Sequence, residues 1–261
     1  MSADGRGSRR VAALSGGTSP AWSPDATRFA FVRPEPSSVY GAVWLMAADG
    51  SGLRQVVADS VFQACCVTWS PDGSRLAFYG FNATNNPAIG VVDVDGTKLR
   101  WLPGTGIAVP DAPTWSPDGR RIAFGGFTTN PLLSFIRIVD VDGSNPVTVA
   151  SGYVVTQPSW SPDGSQIAFN FWEPRQDSLR IAVVNPDGTG QRYVTSARGD
   201  ARPAWSPDGG FLVYEHWVGS DATRRRHIFK MPISGGTPVD LTPNEQMVTS
   251  PMWRRIVGSS N

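Results

Sequence analysis

Trp69-Ser70-Pro71-Asp72-Gly73 is followed, three residues on, by the apolar run Leu76-Ala77-Phe78. The same phrase returns along the chain. Trp22, Trp115, Trp160 and Trp205 open further copies of Trp-Ser-Pro-Asp, and a degenerate copy reads Ser250-Pro251-Met252-Trp253. The tryptophans are spaced by 47, 46, 45, 45 and 48 residues. A second marker keeps step with the first: Asp4-Gly5, Asp49-Gly50, Asp95-Gly96, Asp142-Gly143, Asp187-Gly188 and Gly235-Gly236. Two independent markers in phase establish an internal repeat, and a period in this range excludes a conventional single-core domain.

Each unit reads as four short strands. The first ends on Trp, and Ser-Pro-Asp-Gly then makes a turn, because Pro presets φ at its second position and Gly relieves its last. The second strand is apolar: Leu76-Ala77-Phe78, Ile122-Ala123-Phe124, Ile167-Ala168-Phe169, Phe211-Leu212-Val213. The third alternates, with Val43, Ile89, Ile136, Ile181 and Phe229 two residues ahead of Leu45, Val91, Ile138, Val183 and Met231, the pattern of a half-buried strand. Asp-Gly signals a hairpin into the fourth strand. There Arg9, Arg54, Arg100 and Arg192 share one register, as charges that guard an edge strand do. Four-stranded units repeated at this period are the signature of an all-β fold, a β-propeller of antiparallel blades. The expected blades cover 18–57, 65–102, 111–149, 156–195 and 201–242, with a sixth drawn from 249–261 and 6–14, all in a single domain over 1–261.

Composition narrows the function. The chain holds 23 basic and 22 acidic residues, a formal net charge of +1, which argues against a basic nucleic-acid binder. No apolar run reaches the length of a membrane span, and residues 1–20 lack the basic-then-apolar profile of a signal peptide. Ten Trp and twelve Phe supply a large core. The two cysteines, Cys65 and Cys66, are adjacent; neighbours seldom form an unstrained disulfide, so no disulfide is expected.

The progression Trp-Ser-Pro-Asp-Gly, Ile-Ala-Phe, Asp-x-Asp-Gly resembles the PD40 (WD40-like) repeat of the TolB family of six-bladed propellers, from Asp4 to Trp253. The Gly-His and Trp-Asp dipeptides of WD40 proper are absent. The resemblance implies Trp-bearing strands around a central channel, a bacterial protein in an extracytoplasmic setting, and partner proteins bound through the propeller. From Asp4 to Gly235 run five full periods, a spacing of 231 residues, and the 3 residues before Asp4 with the 26 after Gly235 leave 29 for a sixth unit. The expectation is a last blade that lacks a strand pair and is closed by strands from both termini, or a fragment of a longer parent. A five-bladed ring is the rival.

The five copies agree at their turns and differ in the segments after their second strands: Arg33 to Tyr40, Tyr79 to Pro87, Gly125 to Ser134, Asn170 to Ser178 and Glu215 to His227. Read as loops, these form a variable face, the default binding surface of a scaffold. Its candidate binding residues are Tyr79, Phe81, Phe127, Phe171, Trp172, Arg175, His216 and Trp217, since aromatic and Arg side chains favour interfaces. The Arg224-Arg225-Arg226 run reads as a solvated face. A polar set just ahead of each Trp strand, Cys65, Cys66, Asp111, Gln157, Asp200, Arg202 and Thr249, is expected at the channel mouth, either to hold a small ligand or to line water. Trp22, Trp69, Trp115, Trp160, Trp205 and Trp253 read as structural.

No Gly-x-Ser-x-Gly elbow occurs. His216 and His227 alone are too few for a His-rich metal site. The leading expectation is a monomeric, non-enzymatic module for a protein or peptide, with no cofactor, metal, nucleic acid or membrane span. The alternatives are a carbohydrate- or peptide-processing enzyme with a channel-mouth site, and a sensory or accessory domain of a larger regulator.

Overall fold

A computed structural model describes residues 18–34, 40–62, 66–103, 113–127, 133–172, 174, 179–196, 199–219 and 224–243. Two compact units divide the chain, Met1–Gly106 and Ile107–Asn261. In the first run β1 (Thr18–Trp22), β2 (Arg28–Pro34), β3 (Tyr40–Ala47) and β4 (Arg54–Phe62), then β5 (Val67–Trp69), β6 (Arg75–Phe81), β7 (Pro87–Asp93) and β8 (Arg100–Trp101). The second holds β9 (Thr114–Trp115), β10 (Arg121–Phe127), β11 (Ser134–Asp140) and β12 (Val147–Gly152). It continues with β13 (Val154–Trp160), β14 (Ile167–Trp172), β15 (Arg180–Val184) and β16 (Arg192–Tyr193), then β17 (Ala201–Trp205), β18 (Phe211–Val218), β19 (Arg225–Pro232) and β20 (Val239–Asp240). The architecture is all-β with almost no helix: five four-stranded antiparallel meanders, the first two joined where Val61 of β4 pairs with Gly80 of β6. Among the described residues no helix is long and apolar enough to cross a membrane.

The repeated turn locks itself. In the second meander the Ser70 hydroxyl donates to Asp72 Oδ1 at 2.5 Å and its oxygen accepts the Arg75 N–H at 2.9 Å, while Asp72 Oδ1 also takes the Ser74 N–H at 3.0 Å. Ser23 with Asp25, Ser116 with Asp118, Ser161 with Asp163 and Ser206 with Asp208 repeat the arrangement. The turn's last position takes a positive φ, which Gly supplies in four copies and Ala26 adopts in the first at 57°. Gly73 and its equivalents Gly164 and Gly209 have φ of 70°, 72° and 71°, a region that L side chains avoid. Each also rests against the turn proline of the preceding copy, Pro24, Pro117 and Pro162. In four of the five meanders the hairpin is tied to the turn end, for the amides of Ala48, Val94, Val141 and Ile233 donate to carbonyls of the Trp-side turn; in the remaining one Pro186 stands at that place.

Tryptophan ties one copy to the next. Trp69 Nε1 donates to Ala21 O, and Trp205 Nε1 to Ser159 O, both at 2.9 Å. Trp69, Trp115, Trp160 and Trp205 are buried, whereas Trp22 is 52% exposed and rests on Phe29. Arg28 stacks over the Trp69 ring and Arg121 over that of Trp160, which adds about 0.5–2 kcal/mol each. Truncating one buried Trp costs about 3–5 kcal/mol. Trp253 lies outside the described residues. In the third strands the alternating apolar positions are buried as expected, except that Phe229 stays half-buried. The fourth-strand Arg54, Arg100 and Arg192 are exposed. Two of them also reach the following copy, Arg54 donating to Val94 O and Arg192 to Ile233 O.

Two expectations are corrected. Cys66 is disulfide-bonded, and the sequence holds one other cysteine, Cys65. Adjacent cysteines seldom pair without strain, and Cys66 has a φ of 118°, outside the ordinary β and α regions. The segments read as variable loops are also shorter than expected. Ladder pairing continues to Phe81, Phe127, Trp172 and Val218, so alternate side chains there turn into the core.

The turn aspartates make the fold acid-sensitive. Hydrogen bonds from Ser23 and the Thr27 amide hold Asp25 at about 2, and those from Ser70 and Ser74 hold Asp72 at about 2. Asp118, Asp163 and Asp208 are lowered by the same contacts. A carboxyl depressed in the folded state stabilises fully above its unfolded value, near ~3.9. That contribution is lost as pH falls through the folded value. Urea unfolding should therefore show constant Asp-dependent stability from pH 5 to 7 and a steady loss from pH 4 to 2. Ser70→Ala should raise the Asp72 pKa, read by NMR titration, and flatten part of that slope.

Candidate functional site

The strand that ends in Trp carries a bulge near its start. Register slips between Thr156 and Ser159 where β13 meets β14, and between Ala201 and Ala204 where β17 meets β18. The bulged residues, Gln157 and Arg202, stand at the same place in their copies, with φ of 57° and 55°. A non-glycine residue held there costs about 1–3 kcal/mol and marks a side chain that the backbone re-aims. Both side chains belong to one network. Asn170 of β14 donates through Nδ2 to Gln157 Oε1 at 2.6 Å, and its Oδ1 accepts the Arg202 N–H at 3.0 Å.

Arg202 leads to a buried carboxylate. Glu215, in the middle of β18, is 2% exposed, and the segment Phe211-Leu212-Val213-Tyr214 ahead of it is apolar. Its Oε1 accepts Arg202 Nη1 at 2.9 Å and its Oε2 accepts Arg226 Nη1 at 3.1 Å. The two arginine side chains remain 38% and 31% exposed. Arg226 also lies over the Trp217 ring at 4.5 Å, and Arg224 over the same ring at 5.0 Å. One indole thus carries two guanidinium groups.

Next to this triad, His216 Nδ1 meets Asp200 Oδ1 at 2.6 Å. Asp200 is fully buried, and its second oxygen has no hydrogen-bond partner among the described residues. Burial and the Asp200 charge together push the Tyr214 phenol well above its ordinary value. His216 packs edge-on against Phe229. Opposite it in the ladder, His227 binds Asp240 Oδ2 at 2.7 Å. The two histidines, read from sequence as loop residues, are therefore strand residues, each fixed by its own aspartate. Among the described residues no group of three or more His, Cys, Asp or Glu side chains is placed to hold a metal ion.

The other candidates fall in several places. Tyr79 is buried in β6 with its phenol pushed up by burial, and the half-buried Phe81 meets it edge-on. Phe127 ends β10, half-buried. Phe171 is buried against Phe169 and Tyr193. Trp172 ends β14, edge-on to the exposed Tyr153. Cys66 belongs to the first unit. Gln157, Asp200, Arg202, His216 and Trp217 come together in the second. Cys65, Asp111, Arg175 and Thr249 lie outside the described residues.

Sequence reasoning missed Glu215, Asn170 and Arg226. Glu215 had a signal: ten residues after each Trp stand Val32, Tyr79, Gly125, Asn170 and Glu215, so one copy places an acid where the others place an apolar, aromatic or neutral side chain. Arg226 was hidden inside the arginine run, of which Arg224 and Arg225 are exposed as expected. Removing one partner of a buried ion pair costs about 3–5 kcal/mol, and the partial exposure of both arginines reduces this. Glu215→Gln should therefore lower the unfolding free energy by about 1–3 kcal/mol in urea melts.

The TolB β-propeller domain model matches residues 1–257. No curated protein matches the chain in sequence. Among solved structures, TolB from Acinetobacter baumannii aligns with a TM-score of 0.71 and 19% identity, over 91% of this chain and 57% of that one. The chain thus spans little more than half of that relative's length. Putative TolB from Agrobacterium tumefaciens aligns at 0.66 with 23% identity, over 86% of this chain and 80% of that one. An oligogalacturonate lyase solved in complex with manganese aligns at 0.65 with 17% identity, over 85% and 64%. At these identities the structures share a fold, and the model match decides membership: the chain belongs to the TolB β-propeller domain family.

Proposed function

We propose that the chain is a non-enzymatic binding module that recognises a protein or peptide at the end of its blades opposite the repeated turns. The blades are those read from the repeat, in one six-bladed ring whose incomplete last blade is closed by strands from both termini. The carrying observation is Trp217. Its ring is half-buried and carries Arg224 and Arg226 at the ends of β18 and β19 away from the repeated turns. Trp and Arg in a partly desolvated, rigid setting are the residues on which interface energy concentrates. Trp172 with the 54% exposed Tyr153 offers a second aromatic platform in the same unit. Gln157, Asp200 and Arg202 add polar groups beside them, and TolB relatives make a protein partner the first class to test.

A second reading has one observation in its favour. The Asp200–His216 pair orients an imidazole as a general base is oriented, which suits an enzyme acting on a carbohydrate or peptide. Against it, both oxygens of Glu215 are held by arginines, so Glu215 is poorly placed as the second acid-base group.

Immobilised protein should capture a partner from an extract of the source cells. Trp217→Ala and Trp172→Ala should each weaken capture by tenfold or more, while Asp95→Asn and Asp142→Asn, at the turn end, leave it unchanged. Capture lost only in the Asp95 and Asp142 variants contradicts the proposal. Turnover of a glycan or peptide that disappears in His216→Ala supports the second reading.

A further inference from the structure

We infer that Arg202 and Arg226, held apart by Glu215, form a receptor for a peptide carboxylate, either an Asp or Glu side chain or a free C-terminus. The inference deepens the peptide-binding reading above and rests on it.

Charge is the first argument. Glu215 offers two oxygens, and each takes one guanidinium, so two cations share one buried anion. The two guanidinium groups thus carry one positive charge more than Glu215 offsets. A monoanion neutralises it. A phosphate dianion would exceed that single charge.

Geometry is the second. Each arginine spends Nη1 on Glu215. The remaining guanidinium donors of both have no protein acceptor among the described residues, and both side chains are about one third exposed. Stacking on Trp217 occupies a face of Arg226 and leaves its edge free, and the edge is what a carboxylate binds in bidentate fashion.

Preorganisation is the third. Arg202 is fixed by its bulge, by its N–H bond to Asn170, and by the Gln157 contact behind that residue. Keeping a carboxylate in this interior costs stability, and the other copies do without it, with Val32, Tyr79, Gly125 and Asn170 in place of Glu215. Groups held in place before binding lose little entropy when the ligand arrives.

The test is calorimetric titration of the intact chain with four probes: acetyl-Gly-Gly-Glu-Gly-Gly-amide, its Gln counterpart, acetyl-Gly-Gly-Gly with a free carboxyl terminus, and inorganic phosphate. One or both carboxylate peptides should bind at least tenfold tighter than the Gln peptide and tighter than phosphate, and which of the two wins identifies the source. Arg202→Gln and Arg226→Gln should each weaken that binding tenfold or more. Arg202→Lys and Arg226→Lys should keep part of it, which guards against misfolded variants. Equal binding of the Glu and Gln peptides, sensitive to Trp217→Ala, overturns the carboxylate site and leaves the peptide reading standing. Phosphate binding tighter than either carboxylate, or no response to any probe, also overturns the site.

Discussion

The buried indole that packs from one copy against the copy before it is the contact on which the rest depends. At Trp69 and Trp205 its N–H adds a hydrogen bond; at Trp160 it finds no acceptor among the described residues. Trp69 to Ala21 and Trp205 to Ser159 are the same bond drawn twice, each to the residue just before the preceding Trp. Because donor and acceptor sit at fixed places in the repeat, each bond sets the height of one Trp strand against the next. The Ser–Asp turn that follows fixes where the second strand begins, and in four copies the hairpin is tied back to that turn. Variation is therefore excluded from the turn end and tolerated at the other.

That division explains how β17 to β19 carry a buried charge cluster. Glu215 and Asp200 stand where burial alone would select apolar groups, and each is admitted because a cation or imidazole is delivered to it from a neighbouring strand. Arg202 comes from the bulge of β17, Arg226 from β19, and His216 from the next position of β18. Leu212 and Tyr214 of β18 and Met231 of β19 belong to the apolar core. A rigid frame below and unneutralised positive charge above are what an electrostatic binding site needs.

The repeat was legible because its physical requirements are strict. A positive φ favours Gly73, a preset φ favours Pro71, and a self-capping turn needs Ser70 and Asp72 together, so five copies of Trp-Ser-Pro-Asp survive, four of them followed by Gly. The loop ends carry no such constraint. The strands there extend further than alternation suggested, which turned Tyr79 and Phe171 inward and placed His216 and His227 in a ladder. Asp200, Arg202, His216 and Trp217 were singled out by position or by type, yet nothing in the sequence pairs Arg202 with Glu215, 13 residues on, or separates Arg226 from its exposed neighbours. The Cys66 disulfide escaped notice because adjacent cysteines seldom pair without strain, and nothing in the sequence announces the unusual backbone at Cys66.

The central claim is that the Arg202–Glu215–Arg226 triad exists for binding and that the shared frame alone holds the fold. Replacing a buried ion triad with apolar residues of similar volume is neutral or stabilising by about 1–4 kcal/mol when the triad is not a structural staple. The direct measurement is the unfolding free energy in urea of the triple variant Arg202→Met, Glu215→Leu, Arg226→Leu. The account predicts a value equal to or above that of the parent. A loss of about 3 kcal/mol or more, the cost of breaking an ion pair that the fold needs, would contradict it.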